Sequence, residues 1–183
     1  MNENIPDGYV RVTSVLSPFS KLDHIDPSTL ANAADRGTRV HTYCEAHALG
    51  LFVDEVDSDC KNYFDNFVKW FDTYVETVIE TEMRINHPKY KLSGQCDLIA
   101  ILKGDDLPTI IDYKTPASRA NSWQLQSAAY KILVEEVACV KIHRRICLML
   151  PKTGDEVKVV EYTDHERDQK LFLNALELYR FFQ

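Results

Sequence analysis

A chain of 183 residues has the size of one domain, long enough to bury a core without a disulfide framework. Its 45% hydrophobic and 27% charged content is that of a soluble globular protein, and no apolar run approaches the roughly 20 residues that span a bilayer. The net charge of −7, from 21 Lys+Arg against 28 Asp+Glu, argues against a general basic coat for nucleic acid, yet permits an enzyme that meets phosphate through metal ions and a local basic patch.

The opening segment, Met1 to Gly8, is polar and carries Asp and Glu, so it reads as neither signal nor transit peptide, and a cytoplasmic location is expected. Thr13 is placed to cap a short helix through about Phe19. Asp26-Pro27 pairs a capping side chain with a proline in the first turn, predicting a helix to Leu49 that stops at Gly50, with a break near Gly37. A third helix is expected from about Ser58 to Val78. Its Tyr63, Phe64, Phe67, Trp70, Phe71 and Tyr74 recur at helical spacing as a core stripe rather than a base-stacking surface. The period then changes. Ile79–Asn86, Gly94–Leu102 and Leu107–Tyr113 read as strands, Asn121–Val137 as a helix, Val140–Leu150 and Glu156–Tyr162 as strands, and Asp164–Phe182 as a closing helix. This order predicts an α/β or α+β fold with a mixed central sheet flanked by helices. No repeat or Gly/Ser linker marks a boundary, so residues 1–183 are read as one domain, helical over about 1–78 with a sheet core over about 79–183. The five cysteines, at 44, 60, 96, 139 and 147, show no zinc or iron–sulfur spacing and are expected to be reduced, mostly in the core.

Two of the predicted strands carry an oddity. Asp97 shares its face with Ile99 and Ile101, and Asp112 with Ile110 and Lys114, in runs that are apolar on both faces. A carboxylate in such a place is costly unless it is paired or holds a metal. If Lys103-Gly104-Asp105-Asp106 forms a four-residue hairpin loop, Leu102 faces Leu107, and counting back sets Asp97 opposite Asp112. A divalent cation would turn their mutual repulsion into a binding site, whereas a slip of one residue would send them to opposite faces. Lys114 on the same side can orient the attacking water, help to deprotonate it or offset charge on a phosphate.

Gly94-Gln95-Cys96-Asp97, an apolar strand, a turn and then Ile111-Asp112-Tyr113-Lys114-Thr115 together resemble the core of the PD-(D/E)XK nucleases, especially the RecB-like exonuclease branch with its stand-alone phage and CRISPR-associated members. Arg36-Gly37-Thr38-Arg39-Val40-His41 with Glu45 resembles that branch's N-terminal helical motif, and Gln126 with Tyr130 its Gln-x-x-x-Tyr helix. The resemblance implies a restriction-endonuclease-like core that hydrolyses DNA with Mg²⁺ or Mn²⁺, one or two ions. It implies His41, Asp97, Asp112 and the Tyr113 backbone carbonyl as metal ligands, Asp97, Asp112 and Lys114 as catalytic residues, and Gln126 and Tyr130 on the substrate strand. Glu82 matches a family glutamate only loosely and is expected, with Glu45, in a supporting role.

The sequence departs from the family in having Cys96 where a proline is usual and Asp112 where a glutamate is common. The four-cysteine spacing of some relatives is missing, so no iron–sulfur cluster is expected. There is no helicase phosphate loop either, so strand separation would fall to a recombination or helicase partner. By spacing alone, Gln126 and Tyr130 could equally tether a helix to the sheet, and His41 could pair with Glu45. Arg119, before the helix that follows Lys114, is placed to hold a phosphate. Lys131, Lys141, His143, Arg144, Arg145 and Lys152 read either as a phosphate track or as an edge strand guarded against aggregation. Besides a DNA exonuclease acting in recombination, repair or phage DNA processing, two alternatives remain: a structure- or sequence-specific endonuclease, and a non-catalytic adaptor or inhibitor on the same fold. A ring-forming homo-oligomer is a further expectation from the resemblance, and no membrane partner is expected.

Overall fold

A computed structural model describes residues 5–20, 25–115 and 119–183. Strand β1 (Val10–Arg11) leads directly into α1 (Val12–Leu16), which tightens into a 3₁₀ turn over Ser17–Phe19. Arg11, not Thr13, occupies the cap position. Helix α2 (Pro27–Ala48) starts as its sequence demands, with the Asp26 carboxylate accepting the Thr29 N–H at 3.0 Å. It runs unbroken through Gly37, because one glycine costs a helix only about 1 kcal/mol against alanine, and it ends before Gly50, whose φ is +68°.

Helix α3 (Lys61–Tyr74) is shorter than its pattern suggested. Val75–Val78 already belongs to β2 (Val75–His87): three of these four residues are β-branched, which favours a strand. Tyr63, Phe64, Phe67 and Trp70 are buried as a core stripe, while Tyr74 is half exposed. Strands β3 (Leu92–Leu102) and β4 (Thr109–Lys114) complete an antiparallel meander. After α4 (Ser122–Val137), β5 (Arg144–Met149) pairs parallel to β4, β6 (Lys158–Glu161) pairs antiparallel to β5, and α5 (His165–Phe181) closes the chain behind an Asp164 cap. The result is the expected mixed sheet, ordered β1-β3-β4-β5-β6 with β2 on the other edge of β3, flanked by five helices among the described residues.

Two apolar cores sandwich this sheet. Helices α1, α4 and α5 cover one face through residues such as Leu16, Leu133 and Phe172 against Ile99 and Ile110. Helices α2 and α3 cover the other through Val40, Phe64 and Phe67 against Leu98, Ile111 and Tyr113. Strand β5 lies between β4 and β6, so its arginines do not guard an edge. Arg145 is fully buried and donates to Asp168 at 2.6 Å, to His165 at 2.9 Å and to the Gln124 carbonyl at 3.1 Å, binding α4 and α5 to the sheet. Arg144 pairs with Asp105 and Glu161, and Lys131 with Glu135 and the Ile142 carbonyl. These three cations serve the fold rather than a phosphate track. No helix among the described residues is long and apolar enough to cross a membrane.

Candidate active site

The hairpin register decides where the two buried carboxylates stand. Leu98 pairs with Ile111, Ile99 with Ile110 and Ala100 with Thr109. One step further, the same register would set Asp97 opposite Asp112. Regular pairing stops there because the Asp97 side chain replaces the ladder bond: its Oδ2 accepts the Tyr113 N–H at 2.7 Å. On the other side of β3, Glu82 of β2 holds a φ of +49° in mid-strand, a conformation costing a non-glycine residue about 1–3 kcal/mol. The next residue back, Thr81, donates its hydroxyl to the Asp97 carbonyl at 3.0 Å and anchors the distorted segment.

Helix α2 brings in the imidazole. His41 Nδ1 lies 3.4 Å from Asp97 Oδ1 and 3.6 Å from Glu82 Oε1, so it turns to the sheet for its charged partners. Its ring stands edge-on to Tyr113 at 5.5 Å, and Tyr113 stands edge-on to Phe67 at 4.9 Å, so the core itself orients the histidine. His41, Glu82 and Asp97 each offer a ligand atom, all within 4.8 Å of one another. Glu82 Oε1 and Asp112 Oδ1 are buried with no hydrogen-bond partner, an arrangement that costs about 1–3 kcal/mol per group unless something else satisfies it. A divalent cation fits this donor set of one nitrogen and several carboxylate oxygens. Glu82 therefore stands among the candidate ligands, a place its loose sequence match did not signal. Glu45, one turn along α2, has its pKa raised by burial and by the nearby Glu82 charge.

A second cluster holds Asp112, which is almost wholly buried. Lys114 Nζ lies 2.7 Å from Asp112 Oδ2 and donates to Gln126 Oε1 at 3.1 Å, and Gln126 in turn donates to the Tyr130 hydroxyl at 2.8 Å. The predicted catalytic lysine and the two predicted helix residues thus form one chain. Tyr130 is itself buried, so this chain also ties α4 to the sheet. Gly94 permits the closeness: a Cβ there would overlap Leu133 and lie 3.1 Å from the Tyr130 ring. The thiol of Cys147, on the neighbouring strand, donates to Asp112 Oδ2 at 3.4 Å, a contact unreadable from a cysteine in an apolar run. Arg119 is exposed and lies 5.3 Å over the Tyr162 ring, just before α4.

The electrostatics separate the two acids. Burial works to raise Asp97, but His41, Lys114 and the Tyr113 N–H outweigh it and hold the carboxyl below its ordinary range. Burial raises Asp112, with Lys114 opposing and the Asp97 charge adding to the rise. His41 is lowered by burial but raised more by Asp97 and Glu82, to about 10. Lys114 is lowered by burial and raised more strongly by Asp112 and Asp97. A second acidic cluster, Asp57, Asp59 and Cys60, already has its cation: Arg39 donates to Asp57 at 2.6 Å and to Asp59 at 2.9 Å.

A sequence profile described as the PD-(D/E)XK nuclease superfamily matches residues 26–178. No curated protein matches the chain. Among solved structures, a candidate exonuclease from Eubacterium rectale is similar over 93% of this chain and 77% of its own, with a TM-score of 0.60 and 16% identity, a likeness of fold. An alkaline exonuclease from Laribacter hongkongensis is 13% identical over 96% of this chain and 91% of its own, at a TM-score of 0.45 on which nothing below rests.

Proposed function

Because the chain belongs to the PD-(D/E)XK nuclease superfamily, we propose that this nuclease hydrolyses DNA phosphodiester bonds with Mg²⁺ or Mn²⁺ and trims strands from an end. The observation that carries the proposal is the meeting of His41, Glu82 and Asp97 within 4.8 Å, one strand register from the Asp112–Lys114 pair. A scatter of carboxylates on a protein surface needs no ion, whereas a cation would satisfy the buried Glu82 and Asp112 oxygens that lack hydrogen-bond partners. One or two bound ions would lower the pKa of a water and polarise a phosphoryl oxygen. His41, Glu82, Asp97 and Asp112 would hold them, with the Tyr113 carbonyl as a further ligand.

The chain's own residues then divide the work. Lys114 keeps its proton beside two carboxylates, so it contributes positive charge to the phosphate and orients the water. Gln126 holds the Lys114 ammonium in place while its amide stays tied to Tyr130, which favours an orienting role for this pair beside any contact with the strand. Arg119, exposed ahead of α4, is the candidate for an outer phosphate. End-trimming rests on the RecB-like motif order and on the description of the Eubacterium rectale protein as a candidate exonuclease.

A digestion panel tests this reading. The parent should degrade end-labelled linear DNA with Mg²⁺ or Mn²⁺ and leave supercoiled circles intact, and Lys114→Ala should cut neither. A Lys114→Ala protein that cuts linear DNA at the parent's rate overturns the mechanism, and cleavage of circles replaces end-trimming with endonuclease action.

A further inference from the structure

Arg145 sits where an apolar residue would be expected. It and Asp168 are both fully buried and meet at 2.6 Å, yet an apolar pair of similar volume often fills such a place with no loss of stability. Its further contacts lead toward Lys114. Alternation on β5 puts Arg145 and Cys147 on one face, where Cys147 packs with Trp123 of α4 and donates to Asp112. From that face Arg145 Nη1 donates to the Gln124 carbonyl at 3.1 Å and to the Ser127 hydroxyl at 3.3 Å, and the Gln124 amide donates to Asp168 Oδ1 at 2.7 Å. Gln124 and Ser127 flank Gln126, whose side chain accepts from the Lys114 ammonium. Among the described residues no side chain caps the start of α4, so the buried guanidinium and carboxylate are what fix its first turn.

One more contact makes this clamp sensitive to protons. Arg145 Nε donates to His165 Nδ1 at 2.9 Å, and a guanidinium only donates, so that ring nitrogen must be bare. We propose that His165 and Arg145 are positioning residues for Lys114: the neutral imidazole holds the guanidinium against α4, and a proton on the imidazole releases it. The proposal rests on the nuclease reading above, in which Lys114 serves the phosphate. His165 opens α5 and is half-buried, so protons reach it although the ion pair behind it is buried. The charged groups that face it are Arg145 from β5, Lys131 and Glu135 from α4, and Asp168 from its own helix. Burial and the two cations hold its pKa below the ordinary 6.5, outweighing the two carboxylates. Once His165 is protonated, two cations stand at hydrogen-bond distance, and the N-terminal end of the α5 dipole adds to the repulsion. Arg145 then keeps Asp168 and turns from His165, which draws Nη1 off Gln124 and Ser127 and loosens the turn that aims Gln126 at Lys114.

Cleavage of linear DNA at saturating Mn²⁺ is followed from about pH 8 to about pH 5 for the parent, His165→Ala and His165→Asn. His41 and the site carboxylates titrate in all three, so the difference between profiles reads residue 165. Removing the acceptor in His165→Ala should lower kcat roughly tenfold at about pH 8, the worth of one hydrogen bond to a charged group, and move KM less than about twofold. The His165→Asn side chain accepts a hydrogen bond but takes no proton. It should recover most of that rate and abolish the parent's additional loss, again roughly tenfold, between about pH 7 and pH 5. His165→Gln, a second neutral acceptor, repeats the comparison should His165→Asn fail to fold. Trp123 supplies a readout independent of cleavage, since it lies in the first turn of α4 with Lys114 5.9 Å over its ring. With Trp70→Phe, Trp123 is the only tryptophan; its emission should change between about pH 7 and pH 5, and should hold steady once His165→Asn is added. Superimposable profiles for the parent and the neutral-acceptor variant, or an emission change indifferent to that substitution, overturn the proposal. A parent that cuts nothing but keeps the His165-dependent emission change overturns the nuclease reading and leaves the clamp standing.

Discussion

Replacing Gly94 with alanine asks whether the helix that carries Gln126 and Tyr130 is held at the distance their hydrogen bonds to Lys114 require. The added methyl would overlap Leu133, which is fully buried, and press the Tyr130 ring at 3.1 Å. Neither neighbour is a flexible surface chain that could step aside, so α4 must retreat or Leu133 must leave its rotamer. Overpacking of this kind costs about 1–3 kcal/mol, a large part of a domain's total stability of about 5–15 kcal/mol, and lowers Tm by roughly 2–12 °C at this chain length. The same retreat draws Tyr130 from Gln126 and Gln126 from Lys114, so cleavage should fall further than the loss of folded protein explains. Urea unfolding of Gly94→Ala, Leu133→Ala and the double variant isolates the contact. Leu133→Ala alone removes buried side-chain atoms at about 2–5 kcal/mol, but the alanine methyl at 94 then occupies part of the space it leaves. The double variant should therefore be more stable than the sum of the two losses by about 0.5–3 kcal/mol. Additivity within about 0.3–0.5 kcal/mol, or a Gly94→Ala protein as stable as the parent, refutes this reasoning.

Three further outcomes follow from particular contacts. Cys147→Ala removes the thiol that donates to Asp112 and should raise the Mn²⁺ concentration needed for half-maximal cleavage several-fold, while Cys147→Ser, which keeps a donor, should restore most of it. Asp59 is exposed and its pKa is held down at about 2, first by the Arg39 hydrogen bonds. A depressed carboxylate stabilises the fold above its unfolded value near 3.8 and loses that contribution as pH falls through about 2. The stability gap between the parent and Arg39→Ala should accordingly be present at pH 5 and shrink across that window in a series of denaturation curves. Tyr113→Leu removes the ring that braces His41 edge-on, so Mn²⁺ affinity, measured by calorimetry, should fall while the Asp97 bond to the backbone N–H of residue 113 persists.

Much of this site could be read in the sequence because two periodic apolar strands fixed its register. Once Ile99, Ile101 and Ile110 define alternation and a short loop joins the strands, the register is set, and the observed pairs from Leu98 to Ala100 follow it, stopping one residue short of Asp97. Asp26-Pro27 and Asp164 likewise mark real helix starts. What escaped prediction depended on contacts between elements distant in sequence. Glu82 lies among the candidate ligands because its backbone takes a left-handed conformation that no alternation rule anticipates. Cys147 reads as a small hydrophobe until the parallel β4–β5 register sets it beside Asp112. Arg145 looks like a surface cation in a basic run, and only α5 supplies the buried Asp168 that accounts for it. β1 is two residues long, too short for any period to show, and with it the pairing of Arg11 beside Ser93 went unseen.

The most direct measurement is a thermal melt with and without Mn²⁺, on the parent and on Glu82→Gln, Asp97→Asn and His41→Ala. Binding to the native state alone stabilises it by about 2.7 kcal/mol at a hundred times Kd, so the parent's Tm should rise by roughly 5–10 °C. Each of the three variants should lose most of that rise, because each removes an atom from the cluster gathered within 4.8 Å. A parent indifferent to Mn²⁺, or variants that keep the full rise, would contradict a cation held between α2, β2 and β3.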